Sequence, residues 1–333
     1  DTTLANSSYD GTPKILPPPV ESAKLPLEYY NGENDIIPIE IELPFKDYES
    51  PPEIPPMPTA PRANPFVPLK FRKPLEERDL SYKNNKNFLS THGIMVKNAT
   101  KYSDKEIAEI LQTPNAYKTE RGLPSVLIYH THATESFNPY DGDFYDSRYN
   151  WRSRDNNSNM VSVGAAASAV LEKHGFVVLH DTSQHDYPSY NGSYKNSFNS
   201  VSRYLAENPT LKIVLDLHRD ATEQDDGKII KPTIKIGELK YAQLMIIANC
   251  DDGSGLIPNW RENFKLAAAI QEKVNEIAPN IARPILLSYR KYNQQLSKGS
   301  LLIEIGSHGS TLEEAQRTAE ILGKALAEIL KEG

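Results

Sequence analysis

The chain has 333 residues, a formal net charge of −7 and a pI near 5.7. This acidic balance argues against a nucleic-acid partner, because a basic face normally dominates the charge of such proteins. The one cysteine, Cys250, excludes an intramolecular disulfide and a cluster of thiolate zinc ligands. No stretch approaches the roughly 20 apolar residues that a helix needs to cross a bilayer.

Residues 1–80 differ from the rest of the chain in their proline content. Of the 25 prolines, 16 lie before residue 75. Because proline lacks the amide donor that helices and central strands need, the segment is predicted to be extended and semi-rigid. We interpret it as a tether. The alternative is an arm on the surface of its own domain, since the alternating run I-P-I-E-I-E-L at residues 37–43 could add to a sheet edge.

After this segment, strand and helix patterns alternate. A capping-box pattern at residues 103–106 predicts a short helix, and we expect the catalytic domain to span residues 105–333. Apolar runs predict strands at residues 126–129, 176–179, 211–217, 233–236, 244–248, 285–287 and 301–305. Helical spacing predicts helices at residues 160–174, 198–207, 260–277 and 311–331. The order predicts an α/β fold with a mostly parallel central sheet flanked by helices.

The run V-L-I-Y-H-T-H-A-T-E at residues 126–135 has the strongest functional signal. It reads as a buried strand that delivers two histidines and a glutamate at its carboxyl end, where open α/β sheets place their ligands. His132 and Glu135 have the spacing His-x-x-Glu, which allows an imidazole nitrogen and a carboxylate oxygen to meet at one zinc ion. His130 would face the other way if the strand continued, and it is the alternative ligand.

Two later strands end in the same manner. L-K-I-V-L-D-L leads into His218 and Arg219, and L-L-I-E-I-G contains Glu304. We predict His218 as the third metal ligand. Glu304 is predicted to be the general base rather than a salt-bridge partner, because an ionised carboxylate in an apolar strand is costly unless it is paired or close to a metal. Arg219 is predicted either to bind a carboxylate or carbonyl of the substrate, or to pair with a neighbouring aspartate.

Other polar groups allow two interpretations each. His180 and His185 could bind a metal, or they could hydrogen-bond their neighbours. Residues 137–159 form a polar, aromatic stretch that is either a substrate-contacting loop or an ordinary solvated loop.

Several motifs together resemble one family. The runs Y-H-T-H-A-T-E-S, L-D-L-H-R-D, H-D-x-x-x-H-D, L-I-E-I-G-S and T-L-E-E-A, spread over roughly residues 105–333, are similar to those of stage II sporulation protein P. This family resembles the zinc N-acetylmuramoyl-L-alanine amidases, which cut the amide between the glycan and the stem peptide, and crosslink endopeptidase activity is expected as well. The resemblance implies zinc ligands at His132 and His218 and a catalytic Glu304. In the amidases the acidic ligand lies on the helix after the first strand, where this chain has Asn159 and Met160. We therefore expect Glu135 to take that role, as in zinc carboxypeptidases.

The resemblance also implies a setting. The expected substrate is peptidoglycan in the wall between mother cell and forespore, with a membrane anchor in the full-length protein. The expected partners are a lytic transglycosylase, stage II sporulation protein D, and membrane-bound engulfment proteins. Two alternatives are a zinc carboxypeptidase-like enzyme that acts on free peptides and an inactive wall-binding module.

Overall fold

The computed structural model describes the chain in separate ranges, the first two by their backbone alone: residues 28–30, 36–38, 67–81, 88–91, 93–113, 117–120, 122–224 and 227–332. The chain divides into two units, Asp1–Pro51 and Pro52–Gly333. In the first unit, β1 (Glu28–Tyr30) pairs antiparallel with β2 (Ile36–Pro38). Residues 39–43 of the alternating run, and most of the predicted tether, lie outside the described residues.

The second unit contains the α/β architecture. Its helices are α1 (Asp104–Leu111), α2 (Met160–Lys173), α3 (Ser193–Glu207), α4 (Trp260–Ile277) and α5 (Leu312–Glu332). Its strands are β3 (Arg72–Arg78), β4 (Leu89–Thr91), β5 (Ile94–Asn98), β6 (Pro124–Tyr129), β7 (Phe144–Asp146), β8 (Val177–His180), β9 (Ile213–Asp220), β10 (Ile229–Ile236), β11 (Leu239–Ala242), β12 (Leu244–Asn249), β13 (Ile285–Ser288) and β14 (Ser300–Ser307). No helix among these ranges is both long enough and apolar enough to span a bilayer.

Eight strands form the central sheet, in the order β4-β5-β13-β12-β14-β9-β6-β8. The pairings β4 with β5 and β12 with β14 are antiparallel, and the other five are parallel. The β6, α2 and β8 elements form the predicted βαβ unit, since β6 and β8 pair in parallel. The prediction of an α/β fold with a mostly parallel central sheet is confirmed.

Helices cover both faces of this sheet because side chains alternate along its strands. On β6, Val126 and Ile128 join the large core that also contains residues of α2, α4 and α5. Leu127 and Tyr129 point to the opposite face and pack with Val201 of α3. Doubly covered strands are fully apolar rather than alternating, which is why the sequence pattern identified them.

Helix α1 begins where the capping box was predicted. Ser103 Oγ accepts a hydrogen bond from the Glu106 amide at 3.3 Å, and the Ser103 amide donates to Glu106 Oε2 at 2.7 Å. Both bonds satisfy amides that the first helical turn leaves without partners. The sequence prediction of this helix is therefore correct.

A second, four-stranded sheet was not predicted, apart from the run at residues 233–236. Its strand order is β11-β10-β3-β7, and β3 pairs parallel with β10 and antiparallel with β7. The sequence of β3, R-K-P-L-E-E-R, is too charged for an apolar-run prediction. A hydrogen bond from Ser307 Oγ to the Ile230 carbonyl, at 2.7 Å, joins this sheet to the end of β14.

The folded unit begins upstream of residue 105, where the catalytic domain was expected to start. β5 pairs parallel with β13 in the central sheet, and Val96 is fully buried. Because β3 is paired on both sides, residues 72–78 belong to the folded unit and not to a free segment. Val67 is also buried. A tether therefore remains a prediction only for the residues before Val67.

Candidate metal centre

The carboxyl ends of three adjacent parallel strands bring the predicted polar groups together. β6 pairs with β9 and β9 pairs with β14, in a register that places Glu304 opposite His218. One ligand atom each from His132, Glu135 and His218 lies within 4.8 Å of the other two, and all three residues are buried. Strand order and register, rather than proximity along the chain, create this group.

A tight turn after β6 directs His132 and Glu135 to the same point. The Glu135 amide donates to the His132 carbonyl at 3.1 Å, which closes the turn. Glu135 then forms an antiparallel bridge with Arg152, and its carbonyl accepts from the Met160 amide at the start of α2. The turn therefore brings the two residues of the His-x-x-Glu motif together. Strand β6 ends at Tyr129, before His130.

Both histidines present Nδ1 to the carboxylate of Glu135. The distance is 3.6 Å from His132 Nδ1 to Oε1 and 3.6 Å from His218 Nδ1 to Oε2. Their Nε2 atoms have other neighbours: Ser193 Oγ is 3.1 Å from His132 Nε2, and Asp216 Oδ1 is 2.8 Å from His218 Nε2. Such partners fix the orientation of the imidazole rings of metal ligands.

The Asp216 carboxylate is itself held in place. It accepts hydrogen bonds from the amide and from the hydroxyl of Thr131, at 2.8 and 2.6 Å. Burial opposes its ionisation, but His218 and Thr131 together keep the pKa of Asp216 below its ordinary value. An ionised Asp216 therefore orients His218 from inside the sheet.

The metal-free group has the charge pattern of a cation site. Burial would raise the pKa of Glu135, but hydrogen bonding to His132 and the charges of Arg219 and His218 lower that pKa to about 2. For His218, burial would lower the pKa, but Asp216 and Glu135 raise it to about 9. At neutral pH a protonated His218 therefore lies between the carboxylates of Asp216 and Glu135.

Glu304 lies beside this group with an unusual environment. Its Oε2 atom is buried and has no hydrogen-bond partner within the described part of the chain. Burial raises the pKa of Glu304 to about 8, and the nearby Asp220 and Glu135 carboxylates act in the same direction. A carboxyl group that titrates close to the working pH suits a general acid-base role.

His130 lies outside the ligand group. Its Nδ1 donates to the Leu217 carbonyl at 3.0 Å, so its Nε2 is left to accept from His180 Nε2 at 2.9 Å. Burial lowers the pKa of His130 to about 4, which keeps the ring neutral. A side chain at Gly164 would not fit, because a Cβ there would be 2.6 Å from His130 Nε2. His180 thus hydrogen-bonds His130, and His185 Nε2 lies 3.1 Å from Asp181 Oδ2. Both contacts are the hydrogen bonds to neighbours that were one of the two predicted roles of these histidines.

The guanidinium of Arg219 is used inside the protein. It donates to the Ser136 carbonyl at 2.8 Å and to the Trp151 carbonyl at 2.9 Å, while the Arg219 amide donates to Glu135 Oε2 at 3.2 Å. The guanidinium pairs with neither predicted aspartate carboxylate: that of Asp216 lies against His218, and that of Asp220 pairs with Arg283 at 2.7 Å. Arg219 therefore fixes the loop at Ser136 and Trp151 and the carboxylate of Glu135.

Arg152 was not predicted as a site residue. It belongs to the loop of residues 137–159, and its side chain lies at the edge of the candidate metal centre. Its Nη2 atom is 3.9 Å from Glu135 Oε1, and its side chain is 36% exposed. Asn159, where the amidases have an acidic ligand, caps α2 by accepting from the Val161 amide at 2.9 Å. No periodicity marks a loop arginine, so the sequence had no signal for it.

A second acidic group already has cations. Glu77, Asp141 and Glu314 also converge, but the buried Lys231 ammonium lies 2.7 Å from Glu314 Oε1 and 3.2 Å from Glu77 Oε1. Lys240 is 2.7 Å from Glu77 as well. These lysines neutralise the carboxylates, so the group is a network of ion pairs rather than a metal site.

One protein-family model matches most of the chain. The family model described as "Stage II sporulation protein P (SpoIIP)" matches residues 59–327. The chain belongs to the stage II sporulation protein P family. The resemblance inferred from the motifs is thereby confirmed.

Individual relatives are more distant. Stage II sporulation protein P of Bacillus subtilis (strain 168) is 27% identical over 217 residues, which cover 61% of this chain and 50% of the relative. The chain thus spans about half the length of the curated relative it matches. The N-acetylmuramoyl-L-alanine amidase AmiC2 of Nostoc punctiforme matches with 12% identity and a TM-score of 0.39, covering 64% of this chain and 98% of its own. The CwlD amidase of Clostridioides difficile, solved in complex with the GerS lipoprotein, matches with 13% identity and a TM-score of 0.38, covering 62% and 97%. With TM-scores below 0.5, these two similarities do not indicate the activity of this chain.

Proposed function

We propose that this chain is a zinc-dependent peptidoglycan hydrolase that cleaves the amide between N-acetylmuramic acid and L-alanine during sporulation. The observation that carries the proposal is the buried His132, Glu135 and His218 group with Glu304 beside it. Membership of the sporulation family supports peptidoglycan as the substrate. Cleavage of stem-peptide crosslinks is included as a second activity.

The donor set fits zinc. Two imidazole nitrogens and one carboxylate are ligands that zinc prefers, and three protein ligands leave a position open, as in catalytic zinc sites. Ser193 hydrogen-bonds His132, and the Asp216 carboxylate lies 2.8 Å from His218 Nε2, which supplies the outer partners that such sites need. When bound, zinc would supply a Lewis acid that polarises the scissile carbonyl and activates water.

The residues of the chain perform the proton transfers. Glu304 accepts a proton from the attacking water and returns it to the leaving nitrogen, a role that its place opposite His218 and its unpartnered Oε2 atom support. Asp216 holds the Nε2 side of the His218 ring, so that Nδ1 faces Glu135. Arg219 holds Glu135 through its backbone amide.

Mass spectrometry of digested peptidoglycan tests this proposal. Zinc-loaded protein incubated with purified sacculi is expected to release stem peptides that begin with a free L-alanine amino group. Release of intact muropeptides that are cut only at crosslinks would replace the amidase by an endopeptidase. Turnover of free peptides without any action on sacculi would favour the carboxypeptidase-like alternative, and no turnover with zinc present would favour a wall-binding module.

The proposed setting is outside the cytoplasm, in the wall between mother cell and forespore, with zinc as the cofactor. The proposed partners are stage II sporulation protein D and membrane-bound engulfment proteins. In this setting the proline-rich residues before Val67 are proposed to be a tether that allows an anchored catalytic unit to reach the glycan.

Deleting residues 1–66 is expected to leave the second unit folded, because the deleted part has few contiguous apolar residues. The melting temperature should then change by no more than a few degrees. Deleting residues 1–80 is the matched comparison, since it removes β3 from between β10 and β7 together with the buried Leu75, and should lower the melting temperature clearly. An equal drop in both variants would contradict the tether and favour a packed arm.

A further inference from the structure

Arg152 is fixed at the rim of the metal centre by a buried acid. Its Nη1 atom donates to Asp186 Oδ2 at 2.6 Å and to Thr134 Oγ1 at 3.1 Å. Asp186 is fully buried at its side chain and also accepts from the Thr134 amide and hydroxyl. One side of the guanidinium is therefore anchored, and the arginine needs little reordering to bind a further group.

The other side of the guanidinium is available. Among the described residues, the Arg152 guanidinium donates hydrogen bonds from Nη1 alone. Its Nη2 atom has a longer ion-pair contact, 3.9 Å to Glu135 Oε1. The Nε and Nη2 atoms form the edge that binds a carboxylate with two parallel hydrogen bonds. The chain uses the same edge elsewhere: Arg148 donates from Nε and Nη2 to the two oxygens of Asp146, at 2.9 and 2.6 Å.

The Tyr190 ring forms an aromatic wall over the face of the Arg152 guanidinium. The Arg152 guanidinium carbon lies 4.8 Å from the centroid of the Tyr190 ring, and Tyr190 stacks on His132 with ring centroids 4.5 Å apart. Tyr190 is 54% exposed, so its ring is accessible to a ligand as well.

We propose that the Nε and Nη2 edge of Arg152 binds a free carboxylate of the peptide part of the substrate, with Tyr190 as the wall of this subsite. The inference rests on the proposed function and gives Arg152 the substrate contact that was one of the two roles predicted for Arg219. Arg152 lies close to Glu135, and an extended peptide advances about 3.5 Å per residue. The recognised carboxylate therefore belongs to one of the first few residues after the scissile amide.

The test measures ligand preference instead of turnover. An N-acetylmuramoyl tripeptide with free carboxylates on its second and third residues, and its carboxamide analogue, are titrated by calorimetry into zinc-loaded Glu304→Gln protein. The free acid is expected to bind more tightly than the carboxamide by about 10- to 100-fold, the effect of charge-assisted hydrogen bonds. Adding Arg152→Gln should abolish that preference.

Arg154→Gln is the matched control. Arg154 is two residues away and stacks on Tyr187, with its guanidinium carbon 3.9 Å from the ring centroid. Its replacement should keep the preference for the free acid. If Arg152→Gln is poorly folded because Asp186 is left buried and charged, the double variant with Asp186→Asn removes both charges and is measured in its place.

Three results would overturn the inference: a preference that persists without Arg152, no preference in the starting protein, or an equal loss for both ligands accompanied by loss of zinc. The last result would make Arg152 a positioning residue for Glu135. Turnover of sacculi by the unsubstituted protein is measured in parallel. Digestion without the preference would refute the carboxylate subsite alone, and the preference without digestion would refute the proposed hydrolase alone.

Discussion

Glu304→Gln is expected to retain the fold and the zinc while losing turnover on sacculi by about 10²-fold or more, the usual contribution of a general acid-base residue. Glutamine preserves the shape of the side chain but cannot accept the proton from water or return it to the leaving nitrogen. Zinc content and sacculus turnover of this variant are measured together. Near-normal turnover would remove Glu304 from the mechanism, and lost zinc would make Glu304 a ligand.

Glu304→Gln lowers turnover, but it is expected to stabilise the metal-free protein at pH 8. In the metal-free protein the pKa of Glu304 is raised from its ordinary 4.5 to about 8, mainly by burial. The unfolded chain releases this proton above pH 4.5 and the folded chain keeps it until about pH 8, so the carboxyl group lowers the free energy of unfolding as the pH rises between these values. Glutamine does not titrate. In the presence of a chelator, Glu304→Gln should therefore melt higher than the unsubstituted protein at pH 8 and nearly together with it at pH 4.

A melting difference that stays constant from pH 4 to pH 8 would contradict this explanation. Such a constant difference would come from packing or hydrogen bonding of the amide rather than from ionisation. The pH series therefore separates the titration of Glu304 from the general effect of replacing a partly buried side chain.

His218→Ala is expected to abolish the binding of one zinc ion per chain. Only His132 and Glu135 would remain of the three ligands, and the affinity should fall by more than the roughly 10- to 100-fold that loss of an outer-shell partner costs. Zinc is measured by elemental analysis after dialysis against a buffer with a competing chelator. The same measurement on Glu135→Gln should show strongly weakened binding.

His180→Ala is the control for the histidine assignment. His180 contacts His130, whose other nitrogen donates to a backbone carbonyl, and neither belongs to the ligand group. The variant should keep nearly full zinc content, although it leaves the buried His130 without one partner and is expected to be less stable by about 1–3 kcal/mol. Equal zinc loss in His180→Ala and His218→Ala would show that the wrong histidines were chosen.

Much of the fold could be predicted because the central strands are covered on both faces. The runs that became β6, β9 and β14 are apolar apart from Asp216 and Glu304, and helices α2, α4 and α5 follow with regular spacing. The second sheet could not be predicted in the same manner. β3 is mostly charged, and its partners β10 and β7 are more than 60 residues away along the chain, so only long-range pairing reveals it.

For the candidate centre, the sequence by itself determined which residue types follow the apolar strands: the His-x-x-Glu pair, His218 and Glu304. The tertiary structure alone decided which of them meet. The turn after Tyr129 sends His132 towards Glu135 and leaves His130 against His180. The parallel register of β9 and β14 places Glu304 next to His218, and the path of residues 137–159 brings Arg152 to the rim. Local patterns record whether a side chain prefers burial, but the choice of neighbours depends on backbone hydrogen bonds between segments that the sequence separates.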